Sequence, residues 1–279
     1  MPMRPSPRSK AILVAGTVRP WHAVFVVVMG WAVAQVAAGK IGAAFEPSQR
    51  EAAKTLATTA IADTIYLVFV LAIPEFRKAL PLLFRPLARP FPLEPMAWAV
   101  AAMFCWGFGL FRLAFLLPML AHDPSLFDRF YFSESMPSLD FPTVSTFIFV
   151  GSICAPFGEE IMFRGFVLNL MVARRGAWFG LVASSIVFGA LHQHTALHAA
   201  VAGLIFALVY LRYDSVWPAI ALHALYNFLA PPWALGALVA IKPRAEVTDL
   251  SHWVLEIVLS VLFFPAAWMF WRRFRPRGI

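Results

Sequence analysis

Charged residues are scarce in this sequence. Asp, Glu, Lys and Arg make up 14% of its 279 residues, whereas water-soluble globular domains carry about 25%. Because hydrophobic residues make up 61%, the composition excludes both a water-soluble enzyme and a disordered chain. Cysteine is scarce as well: Cys105 and Cys154 both lie in apolar runs, which excludes a small domain stabilised by disulfides.

Internal repeats and low-complexity tracts are also absent, which disfavours a transporter built from repeated halves. The formal net charge is +8. In so apolar a chain, this basic excess indicates flanking charge that orients membrane segments rather than a surface for nucleic acid. We therefore expect no nucleic-acid partner and an integral, multi-pass membrane protein.

Apolar runs of membrane-spanning length dominate the chain. A helix needs roughly 20 apolar residues to cross the hydrocarbon core of a bilayer. Eight such runs occur, approximately at residues 21–39, 56–73, 96–120, 145–172, 177–192, 196–211, 216–230 and 253–271. The fifth, sixth and seventh are short and closely spaced, which indicates a compact bundle. The sequence thus predicts an all-α, polytopic membrane protein of about eight transmembrane helices.

The distribution of Lys and Arg predicts the orientation. With the N-terminus inside, fifteen of these residues lie in inner segments and six in outer loops, so both termini are predicted to be cytoplasmic. The basic cluster from Arg272 to Arg277 is predicted to contact anionic lipid. A cleaved signal peptide is the competing interpretation of the N-terminal apolar run.

Ionisable residues inside the predicted spans are the main indication of function, since each costs about 2.5 to 3.5 kcal/mol on insertion scales. The second half of the chain concentrates polar residues in three spans: Glu159, Glu160, Arg164, His192, His223 and Asn227. The first three spans hold only scattered charges, chiefly Asp63 and Arg112, and pairing between these two is one explanation for Arg112.

The spacing of the polar residues indicates general-base chemistry. Glu160 and Arg164 are four residues apart, which is the geometry of an intrahelical ion pair. Glu159 then points about 100° away without a cation of its own, and such a carboxylate is a candidate general base. Phe188 and His192 are also four apart and share one face of a helix.

Together these side chains can hydrolyse an amide bond. A water held between a carboxylate and an imidazole, Glu159 and His192, becomes a nucleophile. A second imidazole and an amide, His223 and Asn227, can donate hydrogen bonds to a developing oxyanion. The alternative is purely structural: a buried charge cluster, a capping histidine and an interhelical hydrogen-bonding pair.

Three motifs carry a family resemblance. Residues 159–164 fit EExxxR, residues 188–192 fit FxxxH and residues 223–227 fit HxxxN. In this order, on successive helices, they resemble the CPBP family of intramembrane proteases, also called the Abi or CAAX prenyl endopeptidase family. The resemblance covers about Cys154 to Phe228.

The resemblance implies a proteolytic cavity open toward the bilayer. In it Glu159 and His192 would activate water, His223 and Asn227 would stabilise the oxyanion, and Glu160 with Arg164 would hold the architecture. Phe188 would shape the cavity wall. The implied substrate is a peptide or protein, prenylated in the best-known members, and other members are linked to bacteriocin immunity or processing.

Metal dependence stays open at this level, although the family is commonly classed as metalloproteases. His192, His223 and Glu159 would supply a plausible three-ligand zinc site with one open position. Against zinc, the HExxH signature is absent and Asn227 suits an oxyanion donor better than a ligand. Metal-free glutamate catalysis is therefore slightly favoured.

Four regions are predicted: a cytoplasmic tail (1–20), N-terminal membrane helices and loops (21–144), a catalytic membrane core (145–232), and the last loop, last helix and basic tail (233–279). Convergence of the core residues requires the spans to be shifted, tilted or bent near Pro156. The rival function is non-enzymatic, either a proton-coupled transporter or an immunity factor. The oligomeric state is not indicated.

Overall fold

The computed structural model describes residues 20–45, 50–87, 91, 93–122, 141–192, 195–230 and 253–274. Helices and short connections account for these residues, and no strand occurs among them. The α-helices are α1 (Pro20–Gly42), α2 (Arg50–Ala72), α3 (Pro74–Leu83), α4 (Leu93–Phe104), α5 (Leu117–His122), α6 (Phe141–Phe149), α7 (Ala155–Glu160), α8 (Asn169–Arg175), α9 (Ala177–Ala190), α10 (Ala196–Tyr213), α11 (Val216–Leu229) and α12 (Val254–Phe274). The predicted N-terminal tail up to residue 19 and the loop residues 231–252 lie outside the described part.

The predicted membrane segments coincide with apolar helices. In the part of the chain described above, six helical stretches are long and apolar enough to cross a membrane: Ala23–Gly42, Ala53–Ala72, Leu93–Phe115, Val144–Arg175, Ala196–Tyr213 and Val254–Phe274. The two remaining predicted segments are the shorter apolar helices α9 and α11. The prediction of an all-α polytopic membrane protein is therefore confirmed.

The span that carries the two adjacent glutamates is not a uniform α-helix. A π-helical turn, Val150–Cys154, separates α6 from α7, and a second π-helical segment, Ile161–Leu168, separates α7 from α8. A π turn takes one residue more than an α turn and so rotates the side chains that follow it, and such turns are frequent at functional sites. The irregularity expected near Pro156 is thus present as a change of helix type on both sides of α7.

Glycines let α9 and α10 pack closely beside this span. A methyl group added at Gly189 would collide with the carbonyl oxygen of Ala196 and with Ala200. One added at Gly203 would lie 3.1 Å from Cδ1 of Phe188. Small residues at helix contacts are typical of membrane bundles, where packing rather than the hydrophobic effect drives association. This packing places Phe188 of the second motif close to Arg164 of the first.

The outward faces of the helices are apolar. Val36 in α1, Ile186 in α9 and Phe264 in α12 are 67%, 60% and 64% exposed. Water-soluble monomers rarely expose extended apolar faces, whereas acyl chains solvate them. The exposed surface of these helices is therefore the surface expected of an integral, multi-pass membrane protein.

Candidate active site

Glu160 and Arg164 form the buried centre of the site. Their side chains are almost fully buried, and Nη1 of Arg164 lies 3.0 Å from Oε1 of Glu160. This is the intrahelical ion pair that the four-residue spacing predicts. A buried ion pair is stable only where further polar contacts compensate for lost hydration, and Nη2 of Arg164 accordingly donates a hydrogen bond of 3.0 Å to the carbonyl oxygen of Gly203.

Aromatic rings enclose the Arg164 guanidinium. Its Cζ lies 4.6 Å from the ring centre of Phe188 and 5.2 Å from that of Phe206. A cation over an aromatic face is attracted by the ring quadrupole, most strongly where water is excluded. Phe188 therefore supports the ion pair, in addition to the role in the cavity wall that the resemblance implies. Phe206 is missed by the sequence analysis, because nothing separates it from the other phenylalanines among the 27 of the chain.

His223 joins the same centre from α11. Its Nδ1 lies 2.9 Å from Oε1 of Glu160, and its ring stacks on Phe206 with centroids 4.5 Å apart. Glu160 thus contacts both the Arg164 guanidinium and the His223 imidazole, whereas the four-residue spacing predicts only its contact with Arg164. Because Nδ1 of His223 donates to a carboxylate, Nε2 is the ring nitrogen that can contact a substrate or a water molecule.

Glu159 faces that remaining nitrogen. Oε2 of Glu159 and Nε2 of His223 are 4.0 Å apart, which is too long for a direct hydrogen bond. Oε2 is buried and has no hydrogen-bond partner within the described ranges. The two adjacent glutamates therefore differ in their surroundings. Oε1 of Glu160 contacts both Arg164 and His223, although its Oε2 is also buried without a partner among the described residues, whereas Glu159 lies 4.0 Å from His223.

His192 lies just after the end of α9, with its ring against that of Phe188. Its Nδ1 is 2.8 Å from the carbonyl oxygen of Phe188, and the two rings have centroids 4.5 Å apart. An imidazole that donates from Nδ1 to a carbonyl presents Nε2 as the acceptor. The ring of Phe188 is also 6.0 Å from that of His223, so both imidazoles border one phenylalanine.

Asn227 connects α11 to the π-helical turn before α7. Its Nδ2 donates a hydrogen bond of 2.8 Å to the carbonyl oxygen of Gly151. One of its two amide hydrogens is therefore committed to the backbone, and the other remains for the oxyanion role that the sequence predicts.

The three predicted zinc ligands are not assembled as a set. Among the described residues, no group of three or more His, Cys, Asp and Glu side chains is placed to hold a metal ion. His223 directs Nδ1 to Glu160 and faces Glu159 across 4.0 Å. Within the described residues, His223 is thus held by a hydrogen bond to Glu160.

Arg112 pairs differently from the explanation that the sequence offers. Its Nη1 lies 3.5 Å from Oε1 of Glu256 in α12, and its Cζ lies over the ring of Phe108. Asp63 instead lies in α2 against Gly158, directly before Glu159. Pairing between Arg112 and Asp63 is therefore wrong, because the two residues face different neighbours.

Fold and site together define an integral multi-pass membrane protein whose helical core encloses carboxylates and imidazoles. Residues 141–229 match the family described as Type II CAAX prenyl endopeptidase Rce1-like. This match includes all three motifs and confirms the resemblance of this segment to the CAAX prenyl endopeptidase family.

The chain is also similar to a named protein of Bacillus subtilis (strain 168), "Putative membrane peptidase YdiL". The two are 33% identical over 123 residues, which is 43% of this chain and 48% of that protein. The chain thus spans about half the length of the curated relative it matches. No solved structure matches the chain.

Proposed function

We propose that the protein is a membrane-embedded endopeptidase in which Glu159 is the general base. The observation that carries this proposal is the unequal environment of two adjacent glutamates: Glu160 contacts Arg164 and His223, while Oε2 of Glu159 is buried without a hydrogen-bond partner in the described part of the chain. Oε2 of Glu160 is likewise buried without a partner among the described residues, but the contacts of its Oε1 with Arg164 and His223 compensate its charge. Of these two carboxylates in the described part of the chain, Glu159 is the one without a cation at hydrogen-bond distance, and a base for water needs a carboxylate that is free to accept.

The proposed reaction uses the residues already placed around Phe188 and Glu160. Glu159, with His192, holds a water molecule and takes one of its protons while the oxygen attacks the peptide carbonyl carbon. The carbonyl oxygen then carries the negative charge, which Asn227 and, with a proton on both ring nitrogens, His223 stabilise by hydrogen bonds. Collapse breaks the C–N bond, and the proton passes from Glu159 to the leaving amine, which restores the carboxylate.

Glu160 and Arg164 orient the reacting groups in this proposal. Glu160 holds Nδ1 of His223 at 2.9 Å and directs Nε2 toward Glu159. Arg164 in turn fixes Glu160 and is itself held by the Gly203 carbonyl and two aromatic rings. Such support keeps the reacting groups preorganised for the reaction.

The proposed substrate is a peptide segment of a membrane-associated protein. The site lies within helices whose outward faces are apolar, so a substrate reaches it from the bilayer or its interface. The description of the matched family names CAAX prenyl endopeptidases, and a prenylated C-terminal peptide is therefore the first substrate to test. Both termini are proposed to be cytoplasmic, and residues 145–232 to form the catalytic core.

The test is peptide cleavage by the purified protein in liposomes, with prenylated and unprenylated peptides. We expect Glu159→Gln and His192→Ala each to lower kcat at least about 100-fold, since a general base contributes roughly 10²-fold to 10⁴-fold. Glu94→Gln is the matched control, because Glu94 is exposed and contacts Arg273 and Trp98 away from the site. Full cleavage by both site variants would refute the proposal.

The same preparations distinguish the remaining alternatives. Proton-coupled flux into the liposomes without cleavage would identify a transporter, and a cellular immunity phenotype retained by Glu159→Gln would identify a binding protein. For the metal question, we expect cleavage to survive exhaustive chelation, with no zinc found by elemental analysis. Loss of cleavage on chelation and its return with zinc alone would contradict the metal-free mechanism.

A further inference from the structure

Asp63 of α2 lies directly against the residue that precedes the proposed base. A methyl group added at Gly158 would lie 2.7 Å from Oδ1 and 2.8 Å from Cγ of Asp63. Contacts this short are essentially forbidden, so only a glycine at position 158 lets the Asp63 carboxyl reach the backbone of α7. The close approach brings a third carboxyl group to the site from a helix outside the matched segment.

Two buried carboxylate oxygens are left without partners at this contact. Oδ2 of Asp63 and Oε2 of Glu159 are both buried, and neither has a hydrogen-bond partner within the described ranges. The two side chains interact electrostatically. An unsatisfied buried polar atom is costly. Oε2 of Glu160 is a third such oxygen among the described residues, but the contacts of its Oε1 with Arg164 and His223 compensate that carboxylate.

The cation and the hydrogen-bond donors near the pair have other contacts, although Nε2 of His223 also faces Oε2 of Glu159 across 4.0 Å. Arg164 contacts Glu160, and Nδ1 of His223 does so too. Tyr66, one turn after Asp63, donates its hydroxyl hydrogen to the carbonyl oxygen of Val27 at 3.1 Å. The charged and titratable groups that face the two carboxyls are Glu160, Arg164, His223, Tyr66 and Cys154.

We infer that Asp63 is a positioning residue for Glu159, and that the two carboxyl groups hold a single proton between them. Two carboxylates close together in a low-dielectric site do not both carry charge. One shared proton, transferred directly or across one water, gives each orphaned oxygen a hydrogen bond. Asp63 then donates to Glu159, which holds Glu159 in one orientation as an ionised base.

This inference rests on the proposed function and adds a consequence for its pH dependence. A hydrogen bond to the ionised form of a carboxyl favours that form. The protonated Asp63 therefore keeps Glu159 available as a base at lower pH than Glu159 would be alone. Loss of the donor moves the acid limb of the activity profile to higher pH, which a merely structural residue would not do.

The first experiment compares kcat against pH for Asp63→Asn and Asp63→Leu in liposomes. An amide can donate the same hydrogen bond, so we expect Asp63→Asn to lower kcat about threefold and to leave the acid limb in place. Asp63→Leu removes the donor, and we expect a loss of at least about tenfold with the acid limb about one pH unit higher. Glu94→Gln is again the control.

Two outcomes of this experiment overturn the inference. One is an equal fall in kcat for Asp63→Asn and Asp63→Leu with unchanged pH profiles, which marks Asp63 as structural. The other is wild-type behaviour of Asp63→Leu. If Glu159→Gln abolishes cleavage in the same preparations, the proposed function stands and only the role of Asp63 has failed; if Glu159→Gln cleaves normally, the proposed function itself has failed.

The second experiment reads the proton without measuring activity. A protonated carboxylic acid has a carbonyl stretch in the infrared that an ionised carboxylate lacks. We expect the difference spectrum between the wild type and Asp63→Asn at neutral pH to contain one such band. This measurement does not require Asp63→Leu to fold or to be active. A difference spectrum without the band would show that Asp63 carries no proton and would overturn the inference.

Discussion

His223 and Glu160 are 63 residues apart in sequence and in contact in space: Nδ1 of the imidazole lies 2.9 Å from Oε1 of the carboxylate. Because the same oxygen also contacts Arg164 at 3.0 Å, one carboxylate links the first motif to the third. Glu159, one residue earlier in the chain, has no such role. Adjacent glutamates are therefore expected to fail in different ways when they are replaced.

Glu160→Gln should lower both stability and activity. The substitution leaves the Arg164 cation buried without its carboxylate, and breaking a buried ion pair costs about 3 to 5 kcal/mol. Glu159→Gln should abolish cleavage and leave Tm close to that of the wild type, since no cation depends on Glu159. Thermal unfolding in detergent, measured beside kcat, checks this separation. Equal Tm losses for the two variants would contradict it.

Phe188→Leu should destabilise the protein through the Arg164 guanidinium. The variant keeps an apolar side chain but loses the aromatic face 4.6 Å from Cζ of Arg164, and we expect a loss of about 1 to 3 kcal/mol. Ile186→Leu, two residues earlier in α9 and 60% exposed, is the control and should change stability by less than about 0.5 kcal/mol. Chemical denaturation in mixed micelles measures both, and similar values for the two variants would argue against a role for the ring.

Gly158→Ala should disrupt the contact between α2 and α7. The added methyl group would meet the Asp63 carboxyl at 2.7 Å, so either the helices separate or the carboxyl turns away. We expect at least about a tenfold fall in kcat, in line with the sensitivity of catalysis to small displacements. Gly151→Ala in the preceding π-helical turn is the comparison, because nothing lies within 4 Å of its added methyl group. A larger effect at Gly151 than at Gly158 would be inconsistent with this packing.

Asn227→Asp should impair catalysis more than it impairs folding. A carboxylate cannot donate to the carbonyl oxygen of Gly151, which the amide reaches at 2.8 Å, and it cannot donate to an oxyanion either. Removing one oxyanion donor typically costs about 10² to 10³ in kcat. Single-turnover cleavage at saturating peptide gives the rate of the chemical step. An unchanged rate would remove Asn227 from the proposed mechanism.

Much of the architecture can be predicted from the sequence because the bilayer imposes it. A span of fixed thickness requires apolar runs of fixed length, and each of the eight predicted segments coincides with a helix. The Glu160–Arg164 pair is equally local, since the α-helix places residues four apart on one face. The match of residues 141–229 to a known family depends on motifs of this local kind.

Contacts between helices that are distant in sequence could not be predicted from the spacing of residues. The sequence offers Asp63 as a partner for Arg112, but Glu256 takes that place, because α12 packs against the helical stretch of Arg112 and α2 packs against α7. Phe206 carries no pattern that distinguishes it, yet it stacks on His223 and faces Arg164. Such contacts depend on how helices far apart in sequence are rotated and packed.

The sequence by itself determined which segments form apolar helices and which polar residues lie within them, because hydropathy and helical periodicity are local properties of the chain. Only the tertiary structure decided which of these polar groups meet. The π-helical turns on both sides of α7 rotate its side chains, and small residues set how closely the helices approach. It is this rotation and approach that commits Glu160 to Arg164 and His223 and leaves Glu159 beside Asp63.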